Sequence, residues 1–335
     1  MIKIAINGFG RIGRPTFKRI IENHKNLKVV AINDLTDTKT LAHLLKYDSV
    51  YGIYNKQVSH TNKAIKVAGK TYPVLAEKDP TKLPWKKLGV DVVLECTGLF
   101  ADFQGAEKHL KAGAKKVIVS APCKDKEVPT YILGANEEKY NPGKEHVLSM
   151  GSCTTNALVP VAKVINDNFE IEKALMTTIH SYTSTQKIVD GPHKDLRRGR
   201  AAAVNIVPTT TGAAISVTQV LPELKGKLDG IAVRVPSIDV SLIDFVAQVK
   251  KQTTVEKVNK IFKQVSQKKL KGILSVEDES LVSTDFIGNP YSAIIDSQMT
   301  RVENKNLVKV LAWYDNEWGY ACRLAEFAEY IGKKA

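Results

Sequence analysis

The chain has 335 residues, of which 43% are hydrophobic and 25% are charged, and its formal net charge at pH 7 is +14. This length allows two domains, because a single hydrophobic core rarely grows beyond about 250–300 residues, and the composition excludes a disordered or fibrous protein. No apolar run is long enough for a membrane span, and the four cysteines form no CxxC pair, which argues against a disulfide framework and against a zinc or other metal site.

The first half of the chain alternates between predicted strands and helices. Short apolar strands that are bounded by glycine and separated by helices are typical of a doubly wound parallel sheet. The predicted strands are Ile2–Asn7, Lys28–Asn33, Val90–Glu95 and Lys116–Ser120, and the predicted helices are Arg11–Asn23 and Ala101–Lys111. Between them, Ala64–Val74 has the pattern of a hairpin with its turn at Gly69 and Lys70, which indicates an insertion on that sheet.

The second half contains longer strands with alternating apolar residues, which is typical of an antiparallel or mixed sheet covered on one face. The predicted strands are Ile231–Pro236, Val240–Lys250 and Asn306–Tyr314, and the predicted helices are Thr211–Val220, Val255–Val265 and Gly319–Ile331. We therefore expect an α/β protein with an N-terminal Rossmann domain over residues 1–150 and an α+β domain with a mixed or antiparallel sheet over residues 151–318. The C-terminal helix, residues 319–335, is expected to pack back on the first domain.

A glycine-rich turn follows the first predicted strand. Gly8, Gly10 and Gly13 have the spacing G-x-G-x-x-G directly before a predicted helix. Such glycines allow a tight turn, close approach of the backbone to a pyrophosphate, and close packing of helix on strand. The N-terminus of the helix then offers unpaired N–H groups to the phosphates. In this context the pattern predicts a dinucleotide site, the alternative being a purely structural turn.

Asp34 lies at the end of the second predicted strand, where an acidic side chain binds the ribose hydroxyls of a dinucleotide. A 2′-phosphate about 4 Å from its carboxylate would be repelled by on the order of 4 kcal/mol per charge pair at an effective dielectric constant near 20. The sequence therefore predicts NAD rather than NADP as the cofactor. The alternative is a carboxylate that caps the next turn.

Cys153 lies between a glycine turn and a predicted apolar helix that includes Ala157–Ile165. A thiol at the N-terminus of a helix is expected to have a lowered pKa, because the thiolate meets the helix dipole and free amides. Lowering a reference pKa of about 8.5 by ~3 units stabilises the anion by about 4 kcal/mol. A neighbouring histidine could supply the remaining activation and move protons. Spacing leaves that histidine open; the candidates are His180, His43, His60, His109, His146 and His193.

Eight blocks spread along the chain resemble the glyceraldehyde-3-phosphate dehydrogenase family. They are NGFGRIGR at Asn7–Arg14, ECTG at Glu95–Gly98, SCTTN at Ser152–Asn156, HSYT at His180–Thr183, PHKDLRR at Pro192–Arg198, PTTTGAA at Pro208–Ala214, RVP at Arg234–Pro236 and WYDNEWGY at Trp313–Tyr320. The blocks follow the family's order across essentially the whole chain.

The resemblance implies an NAD-dependent, phosphorylating oxidoreductase that acts on the aldehyde of D-glyceraldehyde 3-phosphate. Cys153 would attack the aldehyde to give a thiohemiacetal, while His180 would raise the thiolate fraction and accept the hydroxyl proton. The backbone N–H of Cys153 and the His180 ring would stabilise the oxyanion. Loss of hydride leaves a thioester, which inorganic phosphate attacks to give 1,3-bisphosphoglycerate, as in glycolysis or gluconeogenesis.

The resemblance also implies binding residues. Thr183 and Arg234 would hold the substrate phosphate with the help of Arg198, although the sequence does not distinguish Arg198 from Arg197 for this role. The attacking phosphate would be bound by Ser152, Thr154, Thr211 and Gly212. The cofactor would be bound by Gly8, Gly10, Arg11, Ile12 and Gly13 at the pyrophosphate, by Asp34, by Lys78 and Ser120 nearby, and by Asn316 at the nicotinamide carboxamide.

The loop between His180 and Val207 contains Pro192, which fits the NAD-type pattern of the family. In this family the loop reaches the cofactor site of a neighbouring subunit, which implies a homotetramer. One position departs from the pattern: Ala157 stands where the family usually has a second cysteine, so no resolving thiol is expected near Cys153.

Two alternatives remain open from the sequence. The first is an erythrose-4-phosphate dehydrogenase, which shares the scaffold and the thiol chemistry. The second is a nucleic-acid-binding secondary role based on the net charge, but the lysines are scattered and no basic stretch is interleaved with aromatic residues. The charge fits a solvated surface that also steers anionic ligands. A reducing, cytoplasmic setting without a membrane partner fits the cysteine content best.

Overall fold

The computed structural model describes residues 1–123, 125 and 127–334, and it divides into two units. The first unit comprises Met1–Tyr131, Glu138–Gly151 and the C-terminal residues from Ala321 onward, and the second comprises Ile132–Glu137 and Ser152–Tyr320. The last residue of the predicted segment 319–335 lies outside the described residues. None of the helices described is long and apolar enough to cross a membrane.

The first unit is built on an eight-stranded sheet. Its elements are β1 (Ile2–Asn7), α1 (Gly13–Asn23), β2 (Leu27–Asn33), α2 (Thr38–Lys46), β3 (Tyr47–Asp48), β4 (Gly52–Ile53), β5 (Val58–Thr61), β6 (Ala64–Val67), β7 (Lys70–Leu75), α3 (Trp85–Leu88), β8 (Val92–Glu95), α4 (Phe103–Lys111), β9 (Lys116–Val119) and β10 (Val147–Ser149). The strand order is β10-β9-β8-β1-β2-β7-β6-β5, and every pair from β10 to β7 is parallel. The strands β1, β8 and β9 are almost entirely buried, as expected of a parallel sheet covered on both faces.

The predicted insertion is present as the antiparallel strands β5, β6 and β7 at one edge of this sheet. Its turn differs by one residue from the prediction: Val67 pairs with Lys70, so Ala68 and Gly69 form the two-residue turn. Both have positive φ, 47° and 78° respectively, which is the backbone that a tight hairpin turn requires. Lys70 is therefore the first residue of β7 and does not lie in the turn.

Side chains cap the N-termini of two helices in the first unit. Asp37 accepts a hydrogen bond from the backbone N–H of Thr40 to begin α2, and Asp102 accepts one from Gly105 to begin α4. Ile12, at the start of α1, supplies no such cap. The first turn of α1 therefore lacks the side-chain cap that α2 and α4 have.

The second unit is built on a seven-stranded mixed sheet. Its elements are α5 (Cys153–Phe169), β11 (Ile171–Ser181), β12 (Val207–Thr210), α6 (Ala213–Val220), β13 (Leu228–Val235), β14 (Ser241–Val249), α7 (Val255–Gln267), β15 (Leu274–Glu277), β16 (Ala293–Glu303), β17 (Leu307–Tyr314) and the start of α8 (Trp318–Gly332). The strand order is β12-β13-β11-β14-β17-β16-β15, and most neighbours are antiparallel. A Rossmann-type parallel sheet followed by an α+β unit with a mixed sheet confirms the predicted fold class.

The core of the second unit explains its alternating strands. Along β14, Ile243, Phe245, Ala247 and Val249 are buried on the face that packs against α5, as their alternation predicted. The helix α5 begins with a capping box, because Ser152 and Thr155 exchange side-chain to backbone hydrogen bonds. This box fixes the backbone at the residue that follows it, Cys153.

Candidate active site

In the first unit, a cavity of about 840 Å³ opens at the carboxyl ends of the parallel strands, where α/β sheets bind ligands. It is lined by Gly8 and Gly10 of the glycine turn, by Asp34 after β2, by Lys78, and by Thr97 and Phe100 after β8. Of the residues predicted to bind the cofactor, Gly8, Gly10, Asp34 and Lys78 lie in this lining.

The three glycines of the turn meet different constraints. Gly8 has φ +91°, and a Cβ there would lie 2.7 Å from the backbone nitrogen of Thr97. A Cβ at Gly13 would lie 2.1 Å from the carbonyl oxygen of Gly8. A Cβ at Gly10 would meet no atom within 4 Å. Gly8 and Gly13 are therefore required by packing, whereas the space above Gly10 is open to a ligand.

The carboxylate of Asp34 is held at the edge of the cavity by two backbone groups. Its Oδ2 accepts the N–H of Phe9 at 2.8 Å, and its Oδ1 accepts the N–H of Thr36 at 2.9 Å. Each carboxylate oxygen keeps a second lone pair, so ribose hydroxyls can still donate to it. Asp34 thus caps the next turn and can bind a ribose, and the two interpretations are compatible.

The other predicted cofactor residues lie elsewhere. The guanidinium of Arg11 pairs with Asp48 at 2.6 Å, and Ile12 stands at the start of α1. The backbone N–H of Ser120 donates to the carbonyl of Glu95. Asn316 belongs to the second unit, where its Oδ1 accepts the hydroxyls of Ser181 and Ser241. Arg11, Ile12, Gly13, Ser120 and Asn316 are therefore outside the lining of the cavity.

Sequence reasoning missed a polar network beneath the cavity. The fully buried carboxylate of Glu95 accepts hydrogen bonds from the Asn7 amide at 2.5 Å, from the Thr97 N–H at 2.7 Å and from His109 Nε2 at 3.0 Å. The indole N–H of Trp85 donates to His109 Nδ1 at 3.0 Å, which places the histidine proton on Nε2. Glu95 therefore ties the end of β1 to the loop after β8, and both segments line the cavity. The sequence did contain a signal for this network, because Glu95 is a charged residue at the end of a short apolar strand.

In the second unit, Cys153 and His180 lie together. Sγ of Cys153, in the first turn of α5, is 3.4 Å from Nε2 of His180, near the end of β11. His180 Nδ1 is 2.8 Å from the carbonyl oxygen of Ser181, which can only accept, and 3.0 Å from Nη1 of Arg234, which can only donate. Because Nη1 of Arg234 also has the Ser181 carbonyl as an acceptor at 3.0 Å, we assign the imidazole proton to Nδ1. Nε2 then presents its lone pair to the thiol. Among the alternatives, His193 bonds to the backbone of Asp195, and His43, His60, His109 and His146 belong to the first unit.

Burial sets the protonation of this pair. It raises the pKa of the Cys153 thiol, and this outweighs the lowering by the Arg234 charge and by hydrogen bonds from Thr154. Burial, together with the Arg234 charge, lowers the pKa of His180 to about 3. The lowered thiol pKa expected from the helix start is therefore wrong in direction. The pair rests as a neutral thiol beside a neutral imidazole, and the proton has to move between them.

A chain of hydroxyls stands behind the thiol. The Tyr314 hydroxyl lies 2.9 Å from Thr154 Oγ1 and 2.8 Å from Thr178 Oγ1, and Thr154 in turn bonds to Cys153. Burial raises the pKa of Tyr314, so its hydroxyl stays protonated. The sequence placed Tyr314 in a family block but gave it no role.

Two arginines lie near His180. Arg234 donates to the Ser181 carbonyl at 3.0 Å and to Thr183 Oγ1 at 3.4 Å, and in the described part of the chain no carboxylate lies within ion-pair distance of it. Arg198 lowers the pKa of both His180 and Arg234 through its charge. Arg197 is exposed, bonds to the Pro208 carbonyl and is not among the charges that shift these two pKa values, so the structure brings the charge of Arg198 rather than that of Arg197 to His180 and Arg234. Asp195 pairs with Arg198 at 3.6 Å, so one carboxylate faces two guanidinium charges, and such an excess of positive charge is typical of an anion site.

The residues predicted for the attacking phosphate lie at two helix starts. Ser152 and Thr154 stand at the beginning of α5, and Thr211 and Gly212 stand at the beginning of α6, which packs against α5. Gly212 supplies no side-chain cap, and a Cβ there would meet no atom within 4 Å. Helix N-termini offer N–H groups and a partial positive charge to anions.

Comparison with known proteins agrees with both units. Residues 2–103 match the family described as glyceraldehyde 3-phosphate dehydrogenase, NAD binding domain, and residues 152–316 match its C-terminal domain. The chain is 51% identical over 334 residues to a glyceraldehyde-3-phosphate dehydrogenase of Streptomyces coelicolor, covering 99% of each chain. It is 54% identical over 334 residues to glyceraldehyde-3-phosphate dehydrogenase 1 of Bacillus cereus, covering 100% of this chain and 99% of the relative. It is 53% identical over 333 residues to a glyceraldehyde-3-phosphate dehydrogenase of Geobacillus stearothermophilus, covering 99% of each chain.

Proposed function

The chain belongs to the glyceraldehyde-3-phosphate dehydrogenase family, and we propose that it oxidises D-glyceraldehyde 3-phosphate to 1,3-bisphosphoglycerate with NAD and inorganic phosphate. The observation that carries this proposal is the contact of 3.4 Å between the Cys153 thiol and an imidazole whose pKa is too low for it to be protonated at neutral pH. A nucleophile beside a proton acceptor is what covalent catalysis on an aldehyde requires.

The residues of the first unit fit NAD. The open space above Gly10 admits a pyrophosphate, the uncapped first turn of α1 presents N–H groups, and Asp34 disfavours a 2′-phosphate. Lys78 adds a positive charge to the lining. NAD, when bound, accepts the hydride that the reaction releases. Asn316 remains our proposed contact of the carboxamide, and two serine hydroxyls fix the orientation of its amide.

In the first step the Cys153 sulfur forms a bond to the aldehyde carbon. The thiol proton moves to Nε2 of His180, which the assigned tautomer leaves free to accept it. The aldehyde oxygen takes up the negative charge and then a proton from the imidazolium, giving a thiohemiacetal. The charge of Arg234 and the hydrogen bonds of Thr154 favour the anionic sulfur as the proton leaves, since both lower its pKa.

In the second step His180 again accepts the hydroxyl proton, while the carbon loses a hydride and becomes a thioester carbonyl. Nε2 is suited to this role because burial keeps the imidazole neutral between steps. In the third step an oxygen of inorganic phosphate attacks the thioester carbon, the carbon–sulfur bond breaks, and the sulfur leaves as a thiolate. The product is an acyl phosphate; the proton that His180 took up in the second step returns to the sulfur and restores the thiol, and the proton of the attacking hydrogen phosphate leaves to solvent.

Two anions are needed, and the second unit offers one region with arginine charges and another at two helix N-termini. We propose that Arg234 and Thr183, with Arg198, hold the phosphate of the substrate. We propose that Ser152, Thr154, Thr211 and Gly212 hold the attacking phosphate at the two helix starts. Arginine suits the first region because its planar guanidinium can donate two parallel hydrogen bonds to one phosphate.

The deciding experiment is NADH formation from glyceraldehyde 3-phosphate with and without inorganic phosphate. The proposal predicts sustained turnover only when phosphate is present. Erythrose 4-phosphate serves as the comparison, because an erythrose-4-phosphate dehydrogenase would turn over the four-carbon aldehyde with the higher kcat/KM. A higher kcat/KM on that sugar would replace the substrate assignment and leave the thiol chemistry in place.

We also propose a cytoplasmic homotetramer. In the second unit, large apolar side chains are exposed on the sheet at Leu175 and Ile231, and on the loop before β12 at Ile188 and Leu196, the latter two each 85% exposed. Side chains of this kind are usually covered, so they mark surfaces for contact with another copy of the chain. Light scattering of the purified protein tests this, and a monomeric mass would contradict it.

A further inference from the structure

Gln186 is a buried amide next to a residue proposed to hold the substrate phosphate. The Gln186 residue is only 7% exposed. Its Oε1 accepts the backbone N–H of Thr183 at 3.3 Å, and its own backbone N–H donates to the Thr183 carbonyl at 2.9 Å. These two bonds close a tight turn, so Gln186 fixes the position of the Thr183 backbone.

The amide nitrogen of Gln186 has no hydrogen-bond partner among the described residues. Rotating the amide by a half turn does not solve this, because the NH₂ group would then face the N–H of Thr183, donor against donor. Nε of Arg234 is also buried and without a partner in the same part of the chain. Buried N–H groups are nearly always paired, so two such donors beside one threonine require an explanation.

The surroundings identify the missing acceptor. Arg234 Nη1 lies 3.4 Å from Thr183 Oγ1, so the unpartnered amide and the guanidinium flank the same residue. The Arg234 charge is not balanced by a carboxylate at ion-pair distance within the described chain, and Arg198, whose own partner is Asp195 at 3.6 Å, adds a second positive charge. An oxyanion with several acceptor oxygens fits this set of donors, and a phosphate ester does so with the right charge.

We propose that Gln186 is a specificity-determining residue for the substrate phosphate: Oε1 positions Thr183, and Nε2 donates to the same phosphate that Thr183 and Arg234 bind. This inference rests on the proposed function, because it takes the phosphorylated aldehyde as the substrate. It adds a second neutral donor, beside the Thr183 hydroxyl, to a phosphate region whose positive charge comes from Arg234 and Arg198.

The test compares two aldehydes that differ only in the phosphate, glyceraldehyde 3-phosphate and unphosphorylated glyceraldehyde. The variant Gln186→Glu keeps the acceptor and the shape of the side chain but replaces the donor by a charged oxygen. We expect kcat/KM for the phosphorylated aldehyde to fall by roughly 10- to 100-fold, mostly through KM, with kcat/KM for unphosphorylated glyceraldehyde nearly unchanged. Gln264→Glu, an exposed position on α7, makes the same change of charge without touching this region and should leave both values unchanged.

Gln186→Met removes the donor and the acceptor without adding charge, and decides the question if the glutamate variant does not fold. It should also lower kcat/KM selectively for the phosphorylated aldehyde, by a smaller factor. Equal losses on both aldehydes, or no loss on either, would show that Gln186 is only a structural clamp of the turn and overturn the inference. If the wild-type protein itself does not prefer the phosphorylated aldehyde, the proposed function has failed, and that result is visible before any variant is made.

Discussion

Replacing His180 with asparagine tests whether the imidazole stabilises the thiolate of Cys153. When the proton moves from Sγ to Nε2, two unit charges form about 3.4 Å apart. At an effective dielectric constant near 20 they attract each other by about 5 kcal/mol, which corresponds to about 3.6 pKa units. Asparagine cannot take up the proton, so in the variant the thiolate forms only by losing the proton to solvent.

The assay is the rate at which iodoacetamide, a neutral reagent, alkylates Cys153 between pH 5 and pH 8. In the wild type the proton stays within the pair, so the rate should vary little with pH. In His180→Asn, burial keeps the thiol pKa raised, and the rate should fall about tenfold for each pH unit below neutrality. At pH 5 the variant should be slower than the wild type by at least about tenfold and by at most about 4,000-fold, the limit set by the Coulomb energy. Parallel pH profiles for the two proteins would refute the reasoning.

Four further predictions concern the stability and cofactor binding of variants at His180, Glu95, Asp239 and Asp34. Because the pKa of His180 is lowered to about 3, its imidazole is protonated in the unfolded chain but not in the folded protein as the pH falls from 6.5 to 3. The free energy of unfolding should therefore decrease as the pH falls through this window, and calorimetry should find a smaller decrease in His180→Asn. Glu95→Gln should destabilise the protein by about 2–4 kcal/mol in urea titrations and weaken NAD binding, because an NH₂ group would face the donors of Asn7 or Thr97; unchanged values would show that the carboxylate is dispensable. Burial and the charge of Asp315 raise the pKa of Asp239 to about 9, so stability should decline as pH rises from 4 to 9, and Asp239→Asn should remove part of that decline. Asp34→Ala should raise the ratio of NADP to NAD affinity by at least about tenfold, and an unchanged ratio would exclude Asp34 from the ribose site.

Four strands of the first unit, β1, β2, β8 and β9, could be predicted because each is a short apolar run with a clear end, whereas the shorter strands β3, β4, β5 and β10 were not predicted. The glycine turn was predictable because packing forbids a side chain at Gly8 and Gly13, so the spacing of the glycines is visible in the sequence. The long strand β11, which carries His180, was not predicted. Its exposed residues include the apolar Leu175, while Thr178 and His180 are buried, so hydrophobicity alone does not reveal which face points inward.

The composition of the site was accessible from the sequence, but its electrostatics were not. A cysteine at a helix start predicts a lowered pKa only if the helix dipole is the largest effect. Here burial of Cys153 is larger, and no local pattern reports burial of a single sulfur. Similarly, PHKDLRR contains two equivalent arginines, and only the fold shows that Arg198 bonds to Thr209 and Thr210 while Arg197 is directed to Pro208. Glu95 and Gln186 were missed because their roles depend on hydrogen bonds made in three dimensions.

The charges around His180 help to explain why the imidazole and the Cys153 thiol are both neutral before substrate binds. Burial is the largest cause of the lowered pKa of His180, and the charges of Arg234 and Arg198 lower it further, so the positive potential helps to keep the imidazole neutral. A bound phosphate dianion would offset that potential and make protonation of His180 easier. Substrate binding would then favour the imidazolium–thiolate form in the occupied site, whereas the empty site retains the less reactive thiol. On this argument, saturating inorganic phosphate should raise the pKa of His180, which NMR titration of its ring protons can measure; an unchanged pKa would mean that the anion binds too far away to activate the thiol.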